Sequence, residues 1–208
     1  AVLQEVLHLS WRQLVARHGT PLDRHGNACD PGFIIVGYGK LGGLELGYGS
    51  DLDLVFIHDA DAQRDTVGGT KALDGASFFA RLGQKVIHLL TTSMGSGLLY
   101  EVDMRLRPSG ASGLLVTSLD GFAQYQREQA WTWEHQALVR ARVVVGDPAV
   151  AARFDGVRAA VLAQPRAIAT LRQEVRDMRQ KMRDHLAPKD LAEIDLKHSP
   201  GGLVDIEF

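Results

Sequence analysis

The stretch from Gly32 to Phe56 leaves little freedom in how this chain can fold. Phe33 to Val36 is an apolar, mostly β-branched run bounded by glycines, the pattern of a covered strand. Leu52 to His58 is a second apolar run with hydrophobic residues on both faces, so it belongs in the middle of a sheet. Between them only Lys40 to Leu46 is available for a helix. Gly42 and Gly43 interrupt it, each at a cost of about 1 kcal/mol against alanine. That is too little for the crossover helix of a Rossmann unit. Gly37-Tyr38-Gly39-Lys40-Leu41-Gly42 does match G-x-G-x-x-G, and Asp59 lies at about the distance of a ribose contact. Without the helix, that match is a weak argument for NAD.

The second strand begins with acids. Asp51 and Asp53 are two residues apart, so on a strand both side chains leave the same face. Their mutual repulsion is relieved by a divalent cation between them. A glycine loop able to donate backbone N–H groups to phosphate stands just before them, which points to nucleotide chemistry. A third acid follows later. Leu98 to Arg107 alternates, with Tyr100, Val102, Met104 and Leu106 on one face and Glu101, Asp103, Arg105 and Arg107 on the other. If this strand pairs with the Asp51 strand, Asp103 completes a three-carboxylate cluster with two arginines close by. Such a cluster fits magnesium-assisted nucleotidyl transfer, with Asp51 and Asp53 as bridging ligands and Asp103 beside the attacking hydroxyl. The Gly39–Lys40 loop and Arg105 or Arg107 would hold the charge of the leaving pyrophosphate.

Composition sets the outer limits. At 208 residues the chain can hold one sizeable core, or one core with an attached helical lobe. It has no apolar run long enough to span a membrane and no basic n-region of a signal peptide. The single cysteine, Cys29, excludes an internal disulfide and fits a cytoplasmic location. A net charge of -2 gives no global reason to expect nucleic acid as a partner. The chain lacks an initial methionine and stops at Phe208 within an apparent strand, so it reads as a piece truncated from a longer protein.

Several helices are expected around this core. Ala1 to His18 and Thr70 to Met94 carry helical apolar spacing, with Asp59 to Gly69 as a polar turn region. Ser118 caps a helix running to about Gln129, and Ala130 to Arg142 reads as another, anchored by its tryptophans. Asp147-Pro148 opens a helix to about Ala163. Pro165 to Leu186 is the most periodic. Its expected buried stripe is Ile168, Leu171, Val175, Met178, Met182 and Leu186, with Arg172, Arg176, Arg179 and Arg183 as a basic row alongside. The last segment reads as a hairpin returning to the sheet. The expected division is a core at 1–116, a helical lobe at 117–187 and the hairpin at 188–208.

Gly39-Lys40, Asp51-Leu52-Asp53 and Val102-Asp103-Met104 are together similar to the pattern of the polymerase β-like nucleotidyltransferase superfamily. Residues 37–56, 102–116, 130–148 and 201–208 more narrowly resemble the glutamine synthetase adenylyltransferase/adenylyl-removing enzyme family. Ala130-Trp131-Thr132-Trp133-Glu134-His135-Gln136 and Val204-Asp205 resemble its transferring half. The resemblance implies an α+β fold, a small mixed β-sheet with a helical lobe. It implies AMP transfer from ATP to a tyrosine of glutamine synthetase with Mg2+, with regulation through the PII signal protein in the longer enzyme. Asp51, Asp53 and Asp103 are the expected catalytic and metal-binding residues. Gly39, Lys40, Gly42, Ser50, Arg105 and Arg107 are the expected nucleotide-binding set. Two alternatives stay open: phosphorolytic removal of AMP, and a silent module that docks ATP or glutamine synthetase.

Overall fold

The computed structural model describes residues 1–93, 95, 97, 100–186, 195–197 and 199–207. In chain order, the first half holds α1 (Val2–His18), β1 (Gly19–Thr20), β2 (Phe33–Gly37), α2 (Gly39–Gly42), β3 (Leu52–His58), β4 (Val67–Gly68), α3 (Gly75–Thr91) and β5 (Val102–Asp103). The second half holds β6 (Val116–Ser118), α4 (Leu119–Glu128), α5 (Thr132–Val139), β7 (Arg142–Gly146), α6 (Pro148–Leu162), α7 (Ile168–Leu186) and α8 (Leu203–Glu207). This is the expected α+β arrangement on a small mixed sheet.

The main sheet runs β5-β3-β2-β7, with β6 also pairing β3. β2 and β3 are antiparallel, which the short loop between them permits and a Rossmann crossover would not. β5 and β6 both lie parallel to β3. β5 pairs its beginning at Leu52 and Asp53, and β6 pairs its end from Phe56 to His58. β3 is therefore the central strand, as its two apolar faces required.

Alternation along β2 and β3 divides the core in two. Phe33, Ile35, Leu52, Leu54 and Phe56 pack with Phe78, Phe79, Leu82 and Val86 of α3 and with Leu7 of α1. Ile34, Val36, Val55 and Ile57 pack on the other face with Leu119 and Phe122 of α4, Leu138 of α5 and Phe154 of α6. Each such side chain, fully buried, contributes about 1.5–3 kcal/mol. Stacked, tilted and edge-on aromatic pairs link Phe33, Phe56, Phe78 and Phe79, and Trp11 of α1 joins them.

Several expected elements differ. The helix expected from Thr70 begins at Gly75, because the Asp74 carboxylate caps it by accepting from the Ser77 N–H at 2.8 Å. The turn region before it is pinned: β4 pairs β1, and the Thr66 hydroxyl donates to the His18 carbonyl. The helix expected to reach Arg142 stops at Val139. The β-branched run Val143-Val144-Val145 instead forms β7, so the sheet takes its outer strand from the segment expected to be a helical lobe. The strand expected over Leu98–Arg107 is confined to Val102–Asp103; residues 98 and 99 lie outside the described residues. Arg107 ends it by donating to the Met104, Ala111 and Gly113 carbonyls, which curls 104–113 into a loop.

At the other end, Leu203–Glu207 is a helix and not the returning strand of a hairpin; residues 187–194, 198 and 208 lie outside the described residues. The apolar stripe of α7 is only half-buried at best, and its ends Ile168 and Leu186 are exposed. Its one buried residue is Arg179, a member of the basic row. Trp131 is 67 % exposed, so its ring is not the buried anchor expected of it.

Candidate active site

Pairing between β3 and β5 sets Asp53 directly beside Asp103. Leu52 and Leu54 point into the α3 side of the core, and so do Val102 and Met104, so the two acids emerge together on the opposite face. Asp51 stands one residue before β3 on the same side as Asp53. Each of the three offers a carboxylate oxygen, and these oxygens lie within 4.8 Å of one another. The cluster that the sequence made conditional on strand pairing is therefore assembled.

Its electrostatics are uneven. Burial raises the Asp53 carboxyl above the ordinary carboxylate range, and the charges of Asp51 and Asp103 raise it further. Asp103 moves the other way, because Arg105 is hydrogen-bonded to it. The Arg105 N–H and Nε donate to its two oxygens at 2.7 Å each, and Nη2 lies 2.5 Å from Oδ2. The Arg105 side chain is otherwise 80 % exposed. Arg107 is committed to loop carbonyls, although its charge still reaches Asp103. Three hard oxygen donors, one of them in an electrostatic deficit, suit magnesium.

The glycine loop lies against this cluster. The Tyr38 N–H donates to the Asp53 carbonyl at 2.9 Å, which seats the loop on β3. Gly39 has φ +50, and a Cβ there would lie 2.5 Å from Asp53 Oδ2, so only glycine brings this backbone against the carboxylate. Gly42 has a packing role: a Cβ there would overlap the Arg140 carbonyl. Lys40 is exposed on α2, and Ser50 is half-buried beside Asp51. A depression lined by Leu46, Tyr48, Ser50, Tyr100 and Glu101 opens next to the acids.

Three supports of the site were not singled out from the sequence. Arg142 on β7 donates to the Leu41 and Gly42 carbonyls at 3.0 and 3.2 Å, which closes the end of α2. Arg140 pairs with Glu45 across the loop that follows α2. Lys197, read from the sequence only as part of a hairpin, is close enough to Asp53 for its charge to favour the ionised carboxylate. The sequence carried no local signal for Arg142, which lies 100 residues from Gly42.

By contrast, Asp59 and the 59–69 loop lie at the far end of β3, about 26 Å from Asp51 at strand rise. Asp59 there joins Arg24, Arg153 and Asp120 in a surface ion network. The Trp131–Gln136 segment, which helped carry the resemblance, is structural: Glu134 accepts from the Trp131 N–H at 2.9 Å and from the Tyr125 hydroxyl at 2.8 Å.

A small mixed sheet bearing a glycine loop and converging acids is a fold of the nucleotidyltransferase class. The family model described as glutamate-ammonia ligase adenylyltransferase matches residues 1–157, and the chain belongs to that family. It is 62 % identical to a bifunctional glutamine synthetase adenylyltransferase/adenylyl-removing enzyme of Pseudomonas aeruginosa, covering 100 % of this chain and 22 % of that protein. Identity to the protein of the same name from Thioalkalivibrio sulfidiphilus is 57 %, with 100 % and 21 % covered. The chain thus spans about a fifth of the length of the curated relatives it matches. Among the described residues, no helix is long and apolar enough to cross a membrane.

Proposed function

We propose that this chain transfers AMP from ATP to a tyrosine of glutamine synthetase and releases pyrophosphate. The observation that carries the reading is the Asp51–Asp53–Asp103 cluster, brought within 4.8 Å by the β3–β5 register under a glycine loop. The phenol oxygen of the acceptor bonds to the α-phosphorus of ATP, the bond from that phosphorus to the bridging oxygen breaks, and pyrophosphate departs. The phenol proton passes to the carboxylate side of the site.

Asp51, Asp53 and Asp103 would hold Mg2+, which when bound supplies positive charge to the phosphates and acidifies a phenol of ordinary pKa near 10. Gly39 leaves room for the phosphates by lacking a side chain, and Lys40 offers an exposed ammonium beside them. Gly42 lets α2 pack against Arg140, so its contribution to nucleotide binding is through the shape of the loop. Ser50 borders the acids and the depression next to them. Arg105 holds Asp103 and is exposed enough to turn to pyrophosphate, while Arg107 fixes the loop that carries Arg105. The active unit is the core at 1–116 together with the outer strand from 142–146, and it works in the cytoplasm. Control by PII belongs to the longer enzyme, and neither nucleic acid nor membrane is a partner.

The relatives' name also includes adenylyl removal, and the same acids serve phosphorolysis, in which phosphate attacks the adenylyl-tyrosine and ADP leaves. Incubating adenylylated glutamine synthetase with phosphate separates the two readings: the transfer assignment expects no ADP. Asp51→Asn and Asp53→Asn are expected to abolish AMP transfer with circular dichroism unchanged. Transfer retained by either folded variant would remove the assignment of these acids.

A further inference from the structure

The loop between α2 and β3 exposes apolar side chains beside the acids. Along Leu44–Tyr48, Leu44 is 78 % exposed, Leu46 is exposed, and Tyr48 stands wholly in solvent. The loop is fastened all the same. The Glu45 N–H donates to the Lys40 carbonyl at 2.8 Å, the Glu45 carboxylate pairs with Arg140, and the Ser50 N–H donates to the Gly47 carbonyl at 3.2 Å. Leu44 is held at φ +63, a left-handed conformation that is costly for a residue with a side chain and persists where its surroundings impose it. Leu46 and Tyr48 then line a depression of about 740 Å3 together with Ser50, Tyr100 and Glu101. That is room for an aromatic side chain and its neighbours. The depression meets the acids through the backbone: Ser50 precedes Asp51, and the Glu101 carbonyl accepts the Leu52 N–H at 2.8 Å.

Nucleotidyl transfer brings two things to this cluster, a polyphosphate and an acceptor phenol. The glycine loop serves the first, since Gly39 lies against Asp53 and Lys40 offers its ammonium from the next position. The depression does not suit a polyphosphate: among its described lining residues Glu101 carries the only charge, and that charge is negative. Two leucines and a tyrosine exposed together on a fastened loop make instead an apolar patch of the kind that meets another protein. We propose that Leu44, Leu46 and Tyr48 form the docking surface for the acceptor protein. They take apolar side chains of the segment that carries the target tyrosine, and so bring its phenol to Asp51 and Asp103. The inference rests on the nucleotidyl-transfer reading above and deepens it by naming where the protein substrate lands.

The test compares the chain with the double variant Leu46→Ser/Tyr48→Ser and with Leu44→Asn, in which the new residue tolerates positive φ. All three side chains are exposed, so the fold is expected to hold, which circular dichroism checks. Each protein is measured for binding of unmodified glutamine synthetase by biolayer interferometry, for the KM of glutamine synthetase in AMP transfer, and for binding of a non-hydrolysable ATP analogue with Mg2+. The double variant is expected to weaken glutamine synthetase binding and raise its KM about tenfold or more, the scale of two lost apolar contacts, with analogue binding changed by less than about twofold. Leu44→Asn is expected to move the same two quantities in the same direction by about threefold. Unchanged binding and KM of glutamine synthetase in the folded double variant overturn the docking surface. So does a parallel loss of analogue binding, because the depression would then hold the adenine, and so does an unsubstituted chain that binds no glutamine synthetase. An unsubstituted chain that binds both glutamine synthetase and the analogue but transfers no AMP sinks the transfer reading alone; weaker glutamine synthetase binding by the double variant would still support the docking surface.

Discussion

His58 shows how burial sets the chemistry of a side chain that has no part in the site. It lies on β3, stacks on Phe79 with ring centroids 4.6 Å apart, and accepts the Ala60 N–H on Nδ1 at 3.2 Å. Burial pushes its pKa down to about 4, against about 6.5 when unfolded. Above pH 6.5 both states are neutral and the group contributes nothing to pH dependence. As pH falls from 6.5 to 4 only the unfolded chain takes up the proton, so stability declines by up to about 3 kcal/mol. Urea denaturation across that window is expected to show the decline, and His58→Gln to flatten it. Asp205 acts mainly below this window. Arg179 lowers its pKa to about 2, so its contribution is lost only at lower pH, as its carboxylate protonates. Gly39 gives a second residue-scale prediction. Gly39→Ala forces a side chain into a positive-φ position against Asp53, a strain of about 1–2 kcal/mol. AMP transfer is expected to fall at least tenfold while the melting temperature drops only a few degrees.

Elements explain both what the sequence disclosed and what it withheld. β2, β3 and the loop between them were legible because a long apolar run, glycines and paired acids leave one arrangement. Asp103 was legible only as a conditional partner, since its place depends on which strand pairs with β3. β7 was missed because Val143–Val145 follows a helix without a loop long enough to announce the change. α8 was read as a strand because Val204 and Ile206 alternate with acids, and over five residues that spacing also fits a helix turn. The burial of Arg179 was invisible because its partner, Asp205, is distant in sequence. The caps, by contrast, are local and follow from residue type. Asp147 accepts from the Ala149 and Val150 N–H groups at the start of α6, and Asp147→Ala is expected to cost about 1 kcal/mol in chemical denaturation. Arg142→Ala leaves the end of α2 open and is expected to raise the KM for ATP several-fold with little change in stability.

Over the whole molecule, one sheet separates two jobs. Its α3 face is a continuous aromatic and aliphatic core, which fixes the strands. Its other face is covered by α4, α5 and α6 over Val55 and Ile57, and the acids stand at the end of β3 beyond that cover. Among the described residues, Asp51 is exposed and Asp53 and Asp103 are half-buried there. The central claim is that these acids move AMP from ATP to a protein tyrosine. It is tested most directly by incubating the chain with α-labelled ATP and unmodified glutamine synthetase, with and without Mg2+, beside Asp53→Asn. Label on glutamine synthetase only with Mg2+ and only with the unsubstituted chain is the predicted result. Equal labelling by Asp53→Asn, or no labelling by a folded chain that binds ATP and Mg2+, would contradict it.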